Sequence, residues 1–575
     1  MIILGINDGH NAAACLYEDG RVVAAIQEER LRRIKNWWGL PTEAVRTVLE
    51  MRGIGPGEVD FVAMNGHHMP TPMTRETLME EYRTINDLDV AIRRSARRVL
   101  RKAAELSGLY GRLRDQRKHR RIAGLLPMGF RQDRVVFVEH HTAHAAAAYY
   151  GLGNFHDDIL VLTCDGAGDG LCATVNVARN GSIDRLQEVR QAHSLGNIYA
   201  MVTYLMGMVP LEHEYKLMGL APYADPRGTQ RMFEDLRKLV RFDPGNPLVW
   251  ERTEGVPETY LSYRFFRALL ERRRFDWVAG GLQQFTEVVL TEWVRHCIQA
   301  TGVRRLALSG GIFMNVKVNK LIMELPEVDE LFVYPSPGDE TNAMGAASWV
   351  YAREAGTERV APLRDVYWGP QFSDDQVGEA LRNFQFKTPV HYERVSSGEL
   401  TAGRLLAEGK IVARFQGREE FGARALGNRA ILANPSDAGV VRIINEAIKA
   451  RDFWMPFAPS VLEERSADYF VNPKGIRSPY MILSFDSTER WSEFGAAIHP
   501  FDRTARPQEV FRDWNPSYHA VLKEFERLTG TGVVLCTSFN LHGYPIVSRP
   551  EDALDVLDRS GLTHLVIENW LVSKR

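Results

Sequence analysis

The chain has 575 residues, enough for at least two domains with sizeable cores. Lys and Arg total 71 against 73 Asp and Glu, a net charge of −2, which argues against a nucleic-acid-binding or membrane-surface protein. The five cysteines (Cys15, Cys164, Cys172, Cys297, Cys536) form no CxxC pair, which excludes a disulfide framework or zinc ribbon; with no signal-like N-terminus and no bilayer-length apolar run, a cytoplasmic location is expected.

The first elements lie in "IILGINDGHNAAACLYEDGRVVAAIQEER". An apolar strand ends at a polar turn, Asp8-Gly9-His10. A second strand follows, then Asp19-Gly20, then a third strand. Residues 93–121 are strongly basic and predict a helical insertion (near 90–125) that reads as a solvated hairpin or lid. Next comes "VEHHTAHAAAAYY". His140 and His144 are four apart and share a helix face, the spacing two imidazoles need to hold a divalent ion. His141 falls on another face, where it caps, packs or meets substrate. The alanines let this helix lie close to a neighbour.

"ILVLTCDGAGDGLCATVNVARNGSIDRLQEVR" then repeats the grammar of the start. A strand leads to Asp165-Gly166-Ala167-Gly168-Asp169-Gly170, and Asn180-Gly181 separates the two strands after it. Two copies predict a duplicated β-meander with helices between. Its glycine loops would face a cleft where backbone N–H groups can approach phosphate. Asp165 and Asp339, the latter in "YPSPGDETNAMGAA", are the carboxylates that could join the histidines. Such N and O ligands suit iron, manganese or zinc. In "EHEYKLMGLAPYAD", Lys216 stands before Gly219 as a cation beside a tight backbone. In "LSGGIFMNVKVNK", Gly310 and Gly311 permit close approach to a flat base or ribose, and Asn315 and Asn319 lie one turn apart.

These segments in this order resemble the nodulation and antibiotic O-carbamoyltransferase family, over nearly the whole chain. The resemblance implies an α/β protein with two domains. Residues 1–360 are similar to the duplicated actin-like and sugar-kinase (ribonuclease-H-like) fold. It would hold a metal on His140, His144, Asp165 and Asp339. Nucleotide would lie on Gly168, Asp169, Gly170, Lys216, Gly219, Gly310, Gly311, Asn315 and Asn319.

The texture changes near residue 360. Residues 361–575 gather Arg418, Arg424 and Arg429 in "FQGREEFGARALGNRAILANP", Lys449 and Arg451 in "INEAIKARDFWMPFAPS", and Arg503 and Arg506 in "RTARPQEV". A buried strand then ends in Thr537, Ser538 and Asn540. Converging Arg and Lys suit an anion with many oxygens. The resemblance implies a YrdC-like domain here that makes carbamoyl-adenylate from carbamoyl phosphate and ATP with Mg. Lys449, Arg451, Arg506 and Ser538 fall on its motif positions. Arg418, Arg424, Arg429, Thr537 and Asn540 complete the cradle. The front domain would pass the carbamoyl group to a hydroxyl of a small-molecule acceptor. His10 is its candidate base, and Lys35 would orient the carbamoyl group or the acceptor. Four positions depart from the family pattern: Asn11, Asn36, Met455 and Tyr544. No nucleic-acid or membrane partner is expected, and a homodimer is left open. Two other readings stand beside this one, an actin-like regulatory ATPase and a threonylcarbamoyl-type tRNA-modifying enzyme.

Overall fold

A computed structural model describes residues 1–69, 72–84, 96, 109–258, 262–449 and 452–574. Arg451, most of the basic insertion (93–95 and 97–108) and Arg575 therefore lie outside the described residues. The chain is mixed α/β and divides into two compact units. The first holds Met1–Ala24 and Asn36–Leu363, and the second holds Ala25–Lys35 and Arg364–Arg575. The first domain was expected to run unbroken over 1–360. Instead, residues 25–35 group with the second unit, where Gln27, Arg30 and Arg33 bond to Gly422, Glu419 and Ile546.

In the first unit, β1 (Ile2–Asn7), β2 (Ala13–Glu18), β3 (Arg21–Gln27), β4 (Phe61–Asn65) and β5 (Val135–Val138) form a sheet in the order β3-β2-β1-β4-β5. β1 runs antiparallel to β2 and parallel to β4, and β4 is parallel to β5. The same pattern recurs with β6 (Ile159–Gly168), β7 (Leu171–Arg179) and β8 (Ser182–Arg190). After the hairpin β9 (Val240–Asp243) and β10 (Asn246–Arg252), it is completed by β11 (Arg305–Ser309) and β12 (Glu330–Val333). This second sheet has the order β8-β7-β6-β11-β12, with β6 antiparallel to β7 and parallel to β11. The repeat in the sequence is thus a repeat of topology. Its hairpins close through left-handed pairs, Asp19-Gly20 (φ 47° and 85°) and Asn180-Gly181 (φ 49° and 82°). That is the two-residue turn that matches strand twist. The expected six-residue loop 165–170 is smaller. β6 continues irregularly to Gly168, and only Asp169-Gly170 (φ 49° and 93°) turn the chain.

The alanine run serves close packing. The helix His140–Leu152 lies against the helix Asn342–Ala355, and a Cβ on Gly345 would stand 1.9 Å from the Ala143 carbonyl oxygen. Larger side chains would push the two helices apart.

The second unit is built on β13 (Val390–Arg394), β14 (Val412–Phe415), β15 (Arg429–Ala433), β16 (Ala458–Leu462), β17 (Phe470–Val471), β18 (Phe485–Ser487), β19 (Thr504–Ala505), β20 (Gln508–Val510), β21 (Val533–Ser538), β22 (His564–Ile567) and β23 (Trp570–Lys574). Eight of these strands form one sheet in the order β13-β23-β22-β14-β15-β21-β16-β20, and β17-β18-β19 form a small one. An apolar core including Phe415, Ile431, Leu535, Leu554 and Leu565 lies against the large sheet. Among the described residues, no helix is long and apolar enough to cross a membrane.

Candidate metal centre

Four side chains from three separate stretches converge in the first unit. His140 and His144 come from the first turns of the helix His140–Leu152. Asp165 lies in the irregular end of β6, and Asp339 in the turn before the helix Asn342–Ala355. One ligand atom from each can be chosen so that all four lie within 4.8 Å of one another. His140 Nε2 is 3.1 Å from Asp165 Oδ2 and 3.6 Å from Asp339 Oδ1. His144 Nε2 is 3.5 Å and 3.6 Å from the same two oxygens. The histidines are buried, whereas the Asp165 and Asp339 side chains are 14% and 20% exposed. The cluster is therefore closed behind the imidazoles and reachable past the carboxylates.

The surroundings hold each ligand in place. Gly168 has no side chain because a Cβ there would stand 2.1 Å from the His140 ring. Glu139 caps the helix, accepting from the His141 and Thr142 N–H groups, and its carboxylate pairs with Arg185 at 2.6 Å. His144 Nδ1 meets Ser309 Oγ at 3.0 Å, which turns Nε2 toward the carboxylates. The Asn342 amide stands 3.1 Å from that Nε2, and its Oδ1 is buried without a hydrogen-bond partner. Asp165 Oδ1 accepts the Gly311 N–H at 3.2 Å. His141 turns away to Thr163 Oγ1 at 2.8 Å, so it packs rather than joining the cluster.

The electrostatics follow from this packing. Burial presses the His140 pKa down, but Asp339 and Asp165 outweigh it and carry the pKa up to about 10. His144 moves up for the same reason. Burial raises the Asp165 carboxyl, yet hydrogen bonds from both imidazoles hold it well below the usual range. His141, buried beside the cationic His140, falls to about 3 and stays neutral. Two imidazoles and two carboxylates thus face one small volume, and a cation fits that donor set.

The other expected residues of this unit are placed differently. Asp169 was read as a nucleotide contact. Its carboxylate instead accepts the N–H groups of His67 (2.8 Å), His68 (2.6 Å) and His140 (2.9 Å), so it ties a loop to the histidine helix. Gly170 sits exposed in the turn. Gly310 (φ 113°) lies against β6, where a Cβ would stand 2.2 Å from the Cys164 carbonyl oxygen; a Cβ on Gly311 would meet Asp165 Oδ1 at 2.8 Å. Asn315 caps the helix Val316–Glu324 and pairs with Gln283, whereas Asn319 is buried and donates to the Phe313 carbonyl. Lys216 and Gly219 are buried in the helix Glu214–Leu220. His10 is half-buried in the turn after β1, edge-on to Trp38 at 5.5 Å. Lys35 ends the segment that groups with the second unit, whereas His10 belongs to the first. Arg121, at the end of the basic insertion, is no solvated charge. It grips Asp8 at 2.7 and 2.8 Å and the Asn65 and Gly66 carbonyls.

In the second unit, Lys449 is buried at the end of a widened, π-type turn, Asn445–Lys449. Its ammonium meets the Ser538 carbonyl, Ser538 Oγ at 3.1 Å and Asn540 Oδ1, so three expected residues come together. Thr537 precedes them on β21, paired with Ile431. Arg506 is half-buried between β19 and β20, close enough to Cys536 on β21 to act on its thiol. Arg424 is half-buried, and Arg418 donates to the Trp368 and Gly369 carbonyls. Arg429 departs from the expected cradle. It is buried on β15, stacks on Phe415 at 3.6 Å, and spends its two terminal nitrogens on the carbonyls of Gln416, Asn428, Pro370 and Gly417. A guanidinium so engaged is a staple and has little left to offer a phosphate.

Sequence reasoning missed Ser309, Asn342, Arg121 and the pair Arg30–Glu419. Ser309 and Asn342 stand beside the very motifs that supplied the ligands, which is the signal that could have found them. Arg121 and Arg30 carry no local signal, because their partners lie 113 and 389 residues away.

Comparison with known proteins gives the family. The sequence matches the carbamoyltransferase N-terminus over residues 2–348 and the carbamoyltransferase C-terminus over residues 403–574. It is 32% identical to nodulation protein NolNO of Sinorhizobium fredii, over 98% of this chain and 79% of that protein. It is 31% identical to an uncharacterized protein of Synechocystis, over 100% of this chain and 96% of that one. Nodulation protein U of Rhizobium tropici is 32% identical over 48% of this chain and 45% of its own length. On these matches, over both halves, the chain belongs to the carbamoyltransferase family and is an enzyme related to nodulation proteins NolNO and U.

Proposed function

We propose that this enzyme is an ATP-dependent O-carbamoyltransferase that works in two half-reactions. In the second unit, read as YrdC-like, carbamoyl phosphate loses its phosphate to water. The carbamate oxygen then attacks the α-phosphorus of Mg-bound ATP, and pyrophosphate leaves, giving carbamoyl-adenylate. Lys449, Arg506 and Ser538 would hold the anionic oxygens, with Arg418, Arg424, Thr537 and Asn540 beside them. Arg451 joins them by its motif position alone.

In the first unit, whose doubled topology suits the actin-like and sugar-kinase (ribonuclease-H-like) class, the carbamoyl group passes to a hydroxyl of a small-molecule acceptor, a natural product, antibiotic or sugar. His140, His144, Asp165 and Asp339 would hold one divalent metal, iron before manganese or zinc. When bound, it supplies positive charge for the phosphate and carbonyl oxygens. With the metal bound, Ser309 would accept the His144 Nδ1–H and leave the Nε2 lone pair turned inward. The Gly311 N–H holds Asp165 at its other oxygen. His10, in the turn after β1, would take the hydroxyl proton.

The observation that carries this reading is the convergence of four metal-type ligands from three stretches of a carbamoyltransferase-family chain. The test is pyrophosphate release from ATP with and without carbamoyl phosphate. Release that requires carbamoyl phosphate but no acceptor supports the reading. Steady ATP turnover without carbamoyl phosphate would make the enzyme an actin-like ATPase instead.

A further inference from the structure

The stretch from Gln416 to Gly427 joins β14 to β15 and carries Arg418 and Arg424. Two adjacent buried carboxylates anchor it. Glu420 folds back on its own loop, accepting the Leu426 N–H at 2.7 Å and the Arg429 N–H at 3.1 Å. Glu419 is held from elsewhere. One oxygen accepts Arg30 Nη1 at 2.5 Å, and the other accepts Ser548 Oγ at 2.6 Å. Arg30 and Glu419 are each 1% exposed. Arg30 also donates Nη2 to the Gly422 carbonyl at 2.5 Å, while Gln27 accepts the Gly422 N–H at 3.2 Å. Both backbone groups of Gly422, and one side of Glu419, are thus satisfied by residues 389 to 395 positions earlier in the chain. Arg33 fastens the same early segment, donating to the Ile546 carbonyl at 2.8 Å and pairing with Asp552 at 3.4 Å.

We propose that Gln27–Arg33 is a working part of the C-terminal activation site, and that Arg30 is the positioning residue that sets the arginine loop. The inference rests on the adenylate-forming role proposed for the second unit. Without Arg30, Glu419 would lose its directly bonded counter-ion and keep only the more distant Arg429, and the loop would lose its hold at the Gly422 carbonyl. Arg418 and Arg424 would then no longer be presented in one geometry to a phosphate group. A lysine at position 30 would keep the charge but could not bridge Glu419 and Gly422 together, because the fork is lost.

The test uses the full-length enzyme with Arg30→Lys, and the charge-neutral pair Arg30→Met with Glu419→Gln as a variant that leaves no buried lone charge. Pyrophosphate release is measured against carbamoyl phosphate, carbamoyl transfer is measured from supplied carbamoyl-adenylate, and amide exchange is measured over 420–428. Both variants are expected to raise the KM for carbamoyl phosphate by about tenfold or more, to leave transfer from supplied adenylate unchanged, and to speed exchange in that loop alone. A wild-type KM in Arg30→Lys overturns the proposal, as does an equal fall in both half-reactions. If the wild-type enzyme releases no pyrophosphate, the activation reading itself has failed. Exchange then decides the anchor: faster exchange confined to 420–428 upholds it, and unchanged exchange overturns it.

Discussion

The two units bury charge in opposite ways. In the first, His140, His144, Asp165 and Asp339 point into one shared volume and balance each other across it, with two carboxylates partly open to solvent. In the second, Arg429, Arg414 and Arg30 are buried more deeply still, and each is spent on the protein. Arg414 donates to the Gly427 carbonyl, Asn428 and Ser517, as Arg429 does to four carbonyls and Arg30 to Glu419 and Gly422. A cluster whose members face one another with room between them is built for a guest. A cation ringed by carbonyls is built to hold a loop. Residue type does not separate the two cases, but the direction in which each group spends its hydrogen bonds does.

The sharpest way to break the contrast is to remove a ligand. His144→Ala is expected to lose most of its bound metal and to lower carbamoyl transfer by about 100-fold or more, while carbamoyl-phosphate-dependent pyrophosphate release persists. Elemental analysis with both half-assays decides it. Equal metal in variant and wild type would turn the cluster into a structural ion network. Lys449→Met is expected to do the reverse. Losing one cation from a desolvated phosphate site costs on the order of 2–4 kcal/mol, so pyrophosphate release should fall by about 100-fold while supplied carbamoyl-adenylate still yields product.

The arginines sharpen the other side. Arg429→Met takes a donor from four carbonyls, of which those of Asn428 and Pro370 keep a backbone N–H from Gln416 and Glu419, and should cost about 2 kcal/mol of stability, read as a fall in melting temperature. Arg424→Met, at a half-buried site, should leave melting almost unchanged and weaken carbamoyl phosphate binding. If Arg424→Met melted early and Arg429→Met only lost affinity, the division into staple and ligand would be reversed.

What the sequence made legible follows the same line. The four metal-type ligands could be read because helix spacing and Asp-Gly turns are local patterns. The doubled sheet was legible through its hairpin turns. Arg429 departs from the expected cradle because strand pairing sets it on β15 opposite Phe415, and residue type alone does not tell a staple from a phosphate ligand. Asp169 was misread because its partners, His67 and His68, belong to a loop about a hundred residues away. Arg30 was invisible for the same reason, its partner lying 389 residues off.

A smaller effect is expected at Glu214, which opens the helix Glu214–Leu220 and accepts the Leu211 N–H at 2.7 Å. Burial pushes its carboxyl from 4.5 up to about 7. The folded state therefore prefers the protonated acid. The stability this contributes is full below pH 4.5 and is lost as pH rises toward 7. Glu214→Gln should remove that loss and stabilise the enzyme at pH 8 by on the order of 2 kcal/mol. Denaturant midpoints at pH 5 and pH 8 measure it, and a variant with the wild-type pH slope would refute the assignment.

The smallest effect tests how the metal ligands are held rather than whether they bind. Ser309, at the end of β11, meets His144 Nδ1 at 3.0 Å and lies outside the four ligands. With the hydroxyl accepting the Nδ1–H, the Nε2 lone pair faces Asp165 and Asp339, as a metal ligand requires. Ser309→Ala removes that constraint and little volume. The ring then loses its preferred tautomer but stays buried against the helix Asn342–Ala355. Metal affinity should fall by about tenfold, roughly 1.4 kcal/mol, with melting of the metal-free protein nearly unchanged. Ser309→Thr keeps the hydroxyl and should keep most of the affinity where the added methyl fits. Competition against a chelator of known affinity reads this directly. If Ser309→Ala bound metal as tightly as wild type, His144 would be oriented by packing alone, and the first unit would differ less from the second than its hydrogen bonds imply.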